Sequence, residues 1–319
     1  MNYYFRKLIS RRTFIKLGIG GLFAFFLSRL FSRSLFARGA KSNARPKSNV
    51  KGKHDIVVAE GKDPFNNTVR AIEEMGGIGK FVKKGDVVVV KPNMGWDRTP
   101  EQAANTNPLV VAAIVELCYQ AGASRVNVFE NPCNDKRRAY ENSGIQKAAK
   151  EKGAHVYFAE DWNVVKAHFS YSSPMEGWSI LRDALECDVF INVPVLKHHG
   201  LTGLTISMKN LMGVCIGTRG LMHIGIGRKL VDLTDFINPD LTVIDATRVL
   251  VRHGPSGGDL GDVVDMNKIV VATDPTLADS YACTLVKKDP LSLPNIKAAI
   301  KRDFGNADIK KASVYSVKT

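Results

Sequence analysis

The sequence predicts an α/β protein with a mainly parallel sheet and helices on both faces. Three observations carry this: strand-like and helix-like segments alternate through the body, their connections are short, and one strand is apolar on both faces. That strand is Val87-Val88-Val89-Val90, a β-branched run that must be covered on two sides, as in the middle of a parallel sheet. The pattern leaves open whether there is one sheet or two lobes.

After a polar linker over 40–54, a strand at 55–59 leads to a helix at 66–75 ended by Gly76-Gly77. Gly85-Asp86 opens the four-valine strand. Asn107-Pro108 supplies an N-cap and a first-turn proline for a helix over 109–121, and Gly122 stops it. A strand at 125–130, a helix over 138–152 ending at Gly153 and a strand at 154–158 continue the alternation. Residues 160–182, with Trp162, Pro174 and Trp178, read as an excursion over the sheet. A strand at 188–193 precedes a polar, glycine-rich stretch to Gly227 whose middle, 203–212, admits a helix. Strands at 241–245 and 268–273 come next, Asp274-Pro275 caps a helix over 276–286, and a last helix at 295–303 enters the tail. The organisation is therefore a leader (1–39), a linker (40–54), an α/β body (55–290) and a C-terminal helix with tail (291–319), with no internal repeat in the body.

A hydrophobic content of 45% with 24% charged residues over 319 positions excludes a disordered, collagen-like or coiled-coil chain. The net charge of +14 is a property of the N-terminus: residues 1–53 hold thirteen of the 45 Lys and Arg and none of the 31 Asp and Glu. The remaining body is close to neutral, so no nucleic-acid partner is expected.

Ser10-Arg11-Arg12-Thr13-Phe14-Ile15-Lys16, leading into an apolar run over 17–27, resembles a twin-arginine export signal, and Ala37-Arg38-Gly39 offers a cleavage site before Ala40. As a helix the apolar run spans roughly 16 Å, about half a bilayer core, so it is not a conventional transmembrane helix. Arg29 and Arg33 break the apolar character just beyond this run and leave open an uncleaved leader that touches the membrane surface. The resemblance implies the Tat translocase as a partner during export and an extracytoplasmic location. It also implies a passenger exported folded, often with a cofactor. Cys118, Cys133, Cys187, Cys215 and Cys283 contain no C-x-x-C, so an intrinsic iron–sulfur cluster or zinc ribbon is not expected. An odd count leaves at least one free thiol, and most of the five read as small buried hydrophobes.

In an open parallel sheet the working residues gather beyond the carboxyl ends of the strands. Three loops stand there. The first, Lys91-Pro92-Asn93-Met94-Gly95-Trp96-Asp97, places Lys91 and Asn93 to hold an anionic ligand. The second runs from Asn192 to Gly213 and concentrates Lys197, His198, His199, Lys209 and Asn210. Adjacent histidines on an extended segment point to opposite sides, and His199 is the one expected to face the site. A lysine there is an anion clamp, a general base when desolvated, or an amine that bonds a cofactor. His223 is a second ligand if the chain folds back, making His199 and His223 a candidate metal pair. The third loop, 252–262, brings Gly257 and Gly258 as a backbone cradle, with Asp245, Asp259 and Asp262 to meet a cation or orient a histidine. It lacks the Walker spacing.

Val90-Lys91-Pro92-Asn93, Asn107-Pro108, Asn192-Val193-Pro194 through Lys197 and His199, Ser207-Met208-Lys209-Asn210-Leu211-Met212-Gly213, the 254–258 loop and Thr273-Asp274-Pro275 resemble, as a set, the domain of unknown function 362 family over about residues 55–285. That family has no settled activity, and some of its members add a cysteine module for [4Fe-4S] clusters that this chain lacks. A more distant resemblance is to lactate racemase and its relatives, on the spacing of His199, Gly203, Lys209 and His223. That resemblance implies that Lys209 carries or contacts a nickel-pincer cofactor, that His199 is an acid/base, and that His223 is a metal ligand or second base.

The expectation is an exported cofactor- or metal-dependent enzyme acting on a small anionic substrate, of racemase, epimerase or redox type. Its catalytic residues would be His199, Lys209 and Lys197, and its cofactor-binding residues Lys91, Asn93, Asn210, Gly257 and Gly258. The alternative is a non-catalytic extracytoplasmic metal- or ligand-binding partner of a redox complex.

Overall fold

The four-valine run becomes β2 (Val87–Pro92) and lies between two parallel neighbours, β3 (Arg125–Val128) and β7 (Val189–Val193). The structure is a computed structural model that describes residues 41–319; the expected twin-arginine leader lies outside the described residues. Val88 and Val90 enter one core while Val89 enters the core on the opposite face, so the two-sided apolar pattern is used as such.

The first face is covered by α1 (Pro64–Glu74), α2 (Pro108–Gln120) and α4 (Ile145–Glu151), through Ile72, Ile114, Cys118 and Ile145. Asp63 caps α1 and Asn107 caps α2, each followed by proline in the first turn. The opposite face is covered by α7 (Ile226–Ile237), α8 (Pro275–Leu285) and α9 (Pro294–Lys301). A small antiparallel sheet of β5 (Val164–Lys166), β6 (Ser179–Leu181) and β10 (Cys215–Ile216) adds to it, which is the form the 160–182 excursion takes.

The main sheet also includes β1 (Ile56–Glu60), β4 (His155–Val156), β11 (Leu241–Leu250), β12 (Val263–Ala272) and β13 (Val314–Lys318). Its order is β13-β1-β12-β11-β7-β2-β3-β4, with β8 (Val195–His199) on β11 and β9 (Gly203–Thr205) on β8. Pairing from β11 through β4 is parallel; β12 runs antiparallel to both its neighbours, and β9 to β8. Residues Asn43–Thr319 form one compact unit, so the sheet is not divided into two lobes. Among the described residues no helix is long and apolar enough to cross a membrane.

Several elements differ from the expectation. The helix over 138–152 is two helices, α3 (Lys136–Asn142) and α4, because Gly144 takes φ 72° between them. Segment 203–212 is β9 followed by the single turn α6 (Ser207–Asn210), not a continuous helix. Helix α7 occupies a stretch where none was expected, and the tail contributes β13, which pairs parallel to β1. The polar linker is strapped down at Arg45. Its buried guanidinium donates to Cys187 O (3.3 Å), Asn238 O (2.7 Å) and Asp188 O (2.7 Å), and pairs with Asp240 (2.5 Å). All five cysteines are free, and only Cys133 is exposed.

Chain order makes the site. From β2 the strands build outward through β3 to β4, and β7 then returns to the other side of β2. The connections leaving the carboxyl ends of β2 and β7 therefore part in opposite directions, which opens a crevice there.

Candidate active site

The crevice is a cavity of about 580 Å³ lined by Asn93, Trp96, Glu130, Cys133, Lys197, His199, Lys209, Asn210, Arg219 and His223, among others. Its floor is a closed polar network. Lys91, fully buried at the end of β2, sits 2.5 Å from the Glu130 carboxylate, donates to Pro92 O (2.7 Å) and approaches Asn210 Oδ1 (3.4 Å). Burial holds its pKa below the usual lysine value against the opposing pull of Glu130. Asn210 donates to Lys91 O (3.1 Å) and Asn192 Oδ1 (2.9 Å), and accepts from Asn93 Nδ2 (3.1 Å). Gly213 is required beside this network: a Cβ there would lie 1.7 Å from Glu130 Oε1.

The walls carry the unneutralised charge. Lys197 and His199 project from the same side of β8 into the cavity. His198, on the opposite side, accepts from Gly254 N (3.1 Å) instead. Lys197 donates to Asn93 Oδ1 (3.2 Å) and to Ala104 O, and lies 5.7 Å from the Trp96 ring centre. Burial lowers its pKa to about 7. Among the described residues the Lys209 ammonium, carried by α6, has the Met212 thioether (3.4 Å) as its hydrogen-bond partner, and burial with the nearby Arg219 charge, against a pull from Cys133, brings its pKa to about 8. Arg219 donates to Pro132 O (2.9 Å) and to Cys133 Sγ (3.5 Å). Among the described residues no carboxylate is paired with Lys197, Lys209 or Arg219. The short α6 that aims Lys209 is capped from α8: Asp279 accepts from Ser207 N (2.7 Å) and Met208 N (3.3 Å), and from Asn295 Nδ2 (2.8 Å).

His199 and His223 meet with ring centroids 5.7 Å apart and planes 25° from parallel. His199 Nδ1 accepts from Leu201 N (3.2 Å), so the neutral ring carries its proton on Nε2. His223 Nδ1 bonds Gly220 O (3.3 Å), and a carbonyl only accepts, so His223 carries its proton on Nδ1. Its Nε2 lone pair is buried without a partner. Burial and Lys209 depress both pKa values, His199 to about 3, so both rings are neutral at pH 7. The site thus pairs one imidazole donor with one imidazole acceptor. As a metal pair the two rings stack rather than converge, and among the described residues no three His, Cys, Asp or Glu are grouped to hold an ion. Two imidazoles fall short of the three protein ligands of a catalytic zinc centre.

The structure therefore gathers His199, Lys209, Lys197, Asn93, Asn210 and His223 at one cavity, with Lys91 sealed beneath it. Gly257 and Gly258 are not among the lining residues. Their carbonyls accept from Arg98 and Gln102, and Gly254-Pro255 takes their place at the wall. Gly254 is needed there because a Cβ would meet His198 O at 2.0 Å. The three aspartates do not converge on a cation: Asp245 binds Asn107 N and Thr247, Asp262 binds Arg252 and the exposed His253, and Asp259 caps its own turn. Sequence reasoning passed over Glu130, Cys133 and Arg219. Glu130 and Cys133 lie just past the carboxyl end of β3, where the same strand-end argument would have found them, whereas Arg219 arrives from a distant loop.

Fold and cavity together define an α/β protein with a cationic crevice at the switch point of its sheet. The chain belongs to the family described as Domain of unknown function (DUF362), whose model matches residues 88–284. It is similar to the thylakoid-associated protein sll1697 of Synechocystis sp., at 28% identity over 239 residues, 71% of each chain. Among solved structures it is similar to the lactate racemase apoprotein of Thermoanaerobacterium thermosaccharolyticum, with a TM-score of 0.40 and 11% identity. That match covers 77% of this chain and 62% of the racemase chain, so the chain spans less than two thirds of that protein.

Proposed function

We propose that the protein is an enzyme that binds a small organic anion in this cavity and moves a proton to and from it. The observation that carries the reading is the convergence of Lys197, Lys209 and Arg219, without carboxylate partners among the described residues, beside two neutral histidines of opposite proton placement. The cations hold the acid group of the substrate. His223 Nε2 accepts a proton from the substrate and His199 Nε2–H donates one, the division of labour an isomerase or a redox enzyme of small acids requires. The volume of about 580 Å³ lies within the usual range of ligand pockets and leaves room for an organic cofactor beside a small substrate.

The test is exchange of substrate carbon-bound hydrogen with solvent deuterium, monitored by NMR over a panel of small carboxylates, with inorganic sulfate binding measured alongside by calorimetry. Arg219→Gln should weaken sulfate binding about tenfold or more, since hydrogen bonds to charged groups contribute roughly 1.5–3 kcal/mol. His223→Gln should abolish exchange and leave sulfate binding intact. Binding without exchange of any carboxylate would replace the enzyme by a ligand-binding protein.

Export through the twin-arginine route and dependence on a cofactor belong to the same proposal. The cyanobacterial relative is named for a membrane system, and an uncleaved leader would give this chain a comparable association. Intact mass and metal content of protein recovered after export would test cleavage and cofactor together.

A further inference from the structure

Three lysines reach this site and each is held differently. Lys91 is ion-paired with Glu130 and sealed beneath the cavity. Lys197 is anchored by two oxygen acceptors, Asn93 Oδ1 and Ala104 O. Among the described residues Lys209 lines the cavity with no oxygen acceptor, its hydrogen-bond partner being the Met212 sulfur at 3.4 Å. Burial disfavours its ammonium form and Arg219 adds repulsion, against a smaller opposing pull from Cys133. At a pKa of about 8, Lys209 keeps a fraction of free amine at neutral pH, and a free amine in a cavity is a nucleophile.

We propose that Lys209 is a covalent capture site for a small anionic carbonyl compound, an oxoacid or an acid-bearing aldehyde. This rests on the reading of the cavity as an anion site, in which Arg219 and Lys197 hold the acid group while Nζ meets the carbonyl carbon. The Nζ–carbon bond forms as the carbonyl π bond opens, and the oxygen takes a proton from His199 Nε2–H. His223 Nε2 takes a proton from the nitrogen, giving a carbinolamine. That oxygen leaves as water with the proton held by His223, and the last proton on nitrogen returns to His199, so that both imidazoles are restored, the water carries in net the two protons of the original amine, and a neutral imine remains. No oxidant or reductant is consumed. Lys91 and Lys197 do not take this role, because their amines are already engaged by oxygen acceptors.

The experiment traps the imine. The full chain is incubated with glyoxylate and cyanoborohydride, and the product is read by intact mass and peptide mapping. The expected result is one carboxymethyl group, at Lys209 ahead of every surface lysine, at a rate that falls when sulfate is added. Lys209→Arg should abolish it. The mapping on the unaltered chain decides the matter even if that variant fails to fold. Label spread over surface lysines, or placed on Lys197 with Lys209 unmodified, overturns the capture. Equal labelling of Lys209 by uncharged acetaldehyde overturns the anionic class. Sulfate binding without label at Lys209 overturns the capture and leaves the anion site standing, whereas absence of both overturns the two together.

Discussion

At the scale of single residues, Lys197 and Lys209 make ligand binding a proton-linked event. Both have pKa values lowered by burial, to about 7 and about 8, and a bound anion favours their charged forms. Anion affinity should therefore be highest below pH 7 and decline as pH rises through 8, by about tenfold per pH unit for each proton taken up. Calorimetry of sulfate binding at pH 8 in buffers of different ionisation enthalpy should show proton uptake; a pH-independent affinity would refute the assignment. Asp279 gives a second, opposite test. Burial raises its pKa from the usual 3.8 to about 7, against three hydrogen bonds that favour the charged form. Between about pH 4 and pH 7 the folded chain then holds a proton that the unfolded chain has lost. The stabilising contribution is complete below that window and disappears as pH rises through it. Asp279→Asn does not titrate, so its urea midpoint relative to the unaltered protein should rise from pH 4.5 to pH 7.5. A constant difference would mean that Asp279 is charged throughout. The candidate residues were legible from type and place: lysines, histidines and asparagines just past strand ends. Their environments were not, because whether Glu130 reaches the Lys91 amine and Asn93 the Lys197 amine is set by segments distant in sequence.

At the scale of elements, the linker strap and the turn beside Glu130 each depend on one residue. Arg45 fills a buried position with three backbone carbonyls and Asp240 as acceptors. Arg45→Ala leaves Asp240 half-satisfied, and breaking a buried pair in this way costs about 3–5 kcal/mol. Urea denaturation should show a loss of that order, while sulfate binding should be unchanged because Arg45 lies outside the cavity lining. Gly213→Ala should act at the other end, pushing Glu130 off Lys91 and weakening sulfate binding together with a loss of stability of similar order. Elements with strong local signals were legible: Asn107-Pro108 starts α2 and Asp274-Pro275 starts α8 as expected. Helix α7 was missed although Leu230, Val231, Leu233, Phe236 and Ile237 bury one stripe, because its entry from a glycine-rich loop lacks a side-chain cap. Strands β8 and β13 were missed because each owes its pairing to a distant partner, β11 and β1.

At the scale of the whole molecule, the proposed function assigns the basic leader to delivery and the near-neutral body to chemistry. Replacing both Arg11 and Arg12 by lysine should retain the chain at its precursor mass on the cytoplasmic side, as read by fractionation and intact mass, without changing sulfate binding by the purified protein. Export at the usual level would remove the twin-arginine assignment. The sequence by itself determined the alternation of strands and helices, the two-sided burial of the four-valine strand, the caps and the residue types of the site, because these rest on local periodicity and on contacts within a few residues. Only the tertiary structure decided that β7 returns beside β2, that Arg219 and His223 fold over Lys209, and that Glu130 neutralises Lys91 but not its two neighbours. Those are contacts between residues ten or more positions apart, and the charge of a buried amine is set by what surrounds it in space.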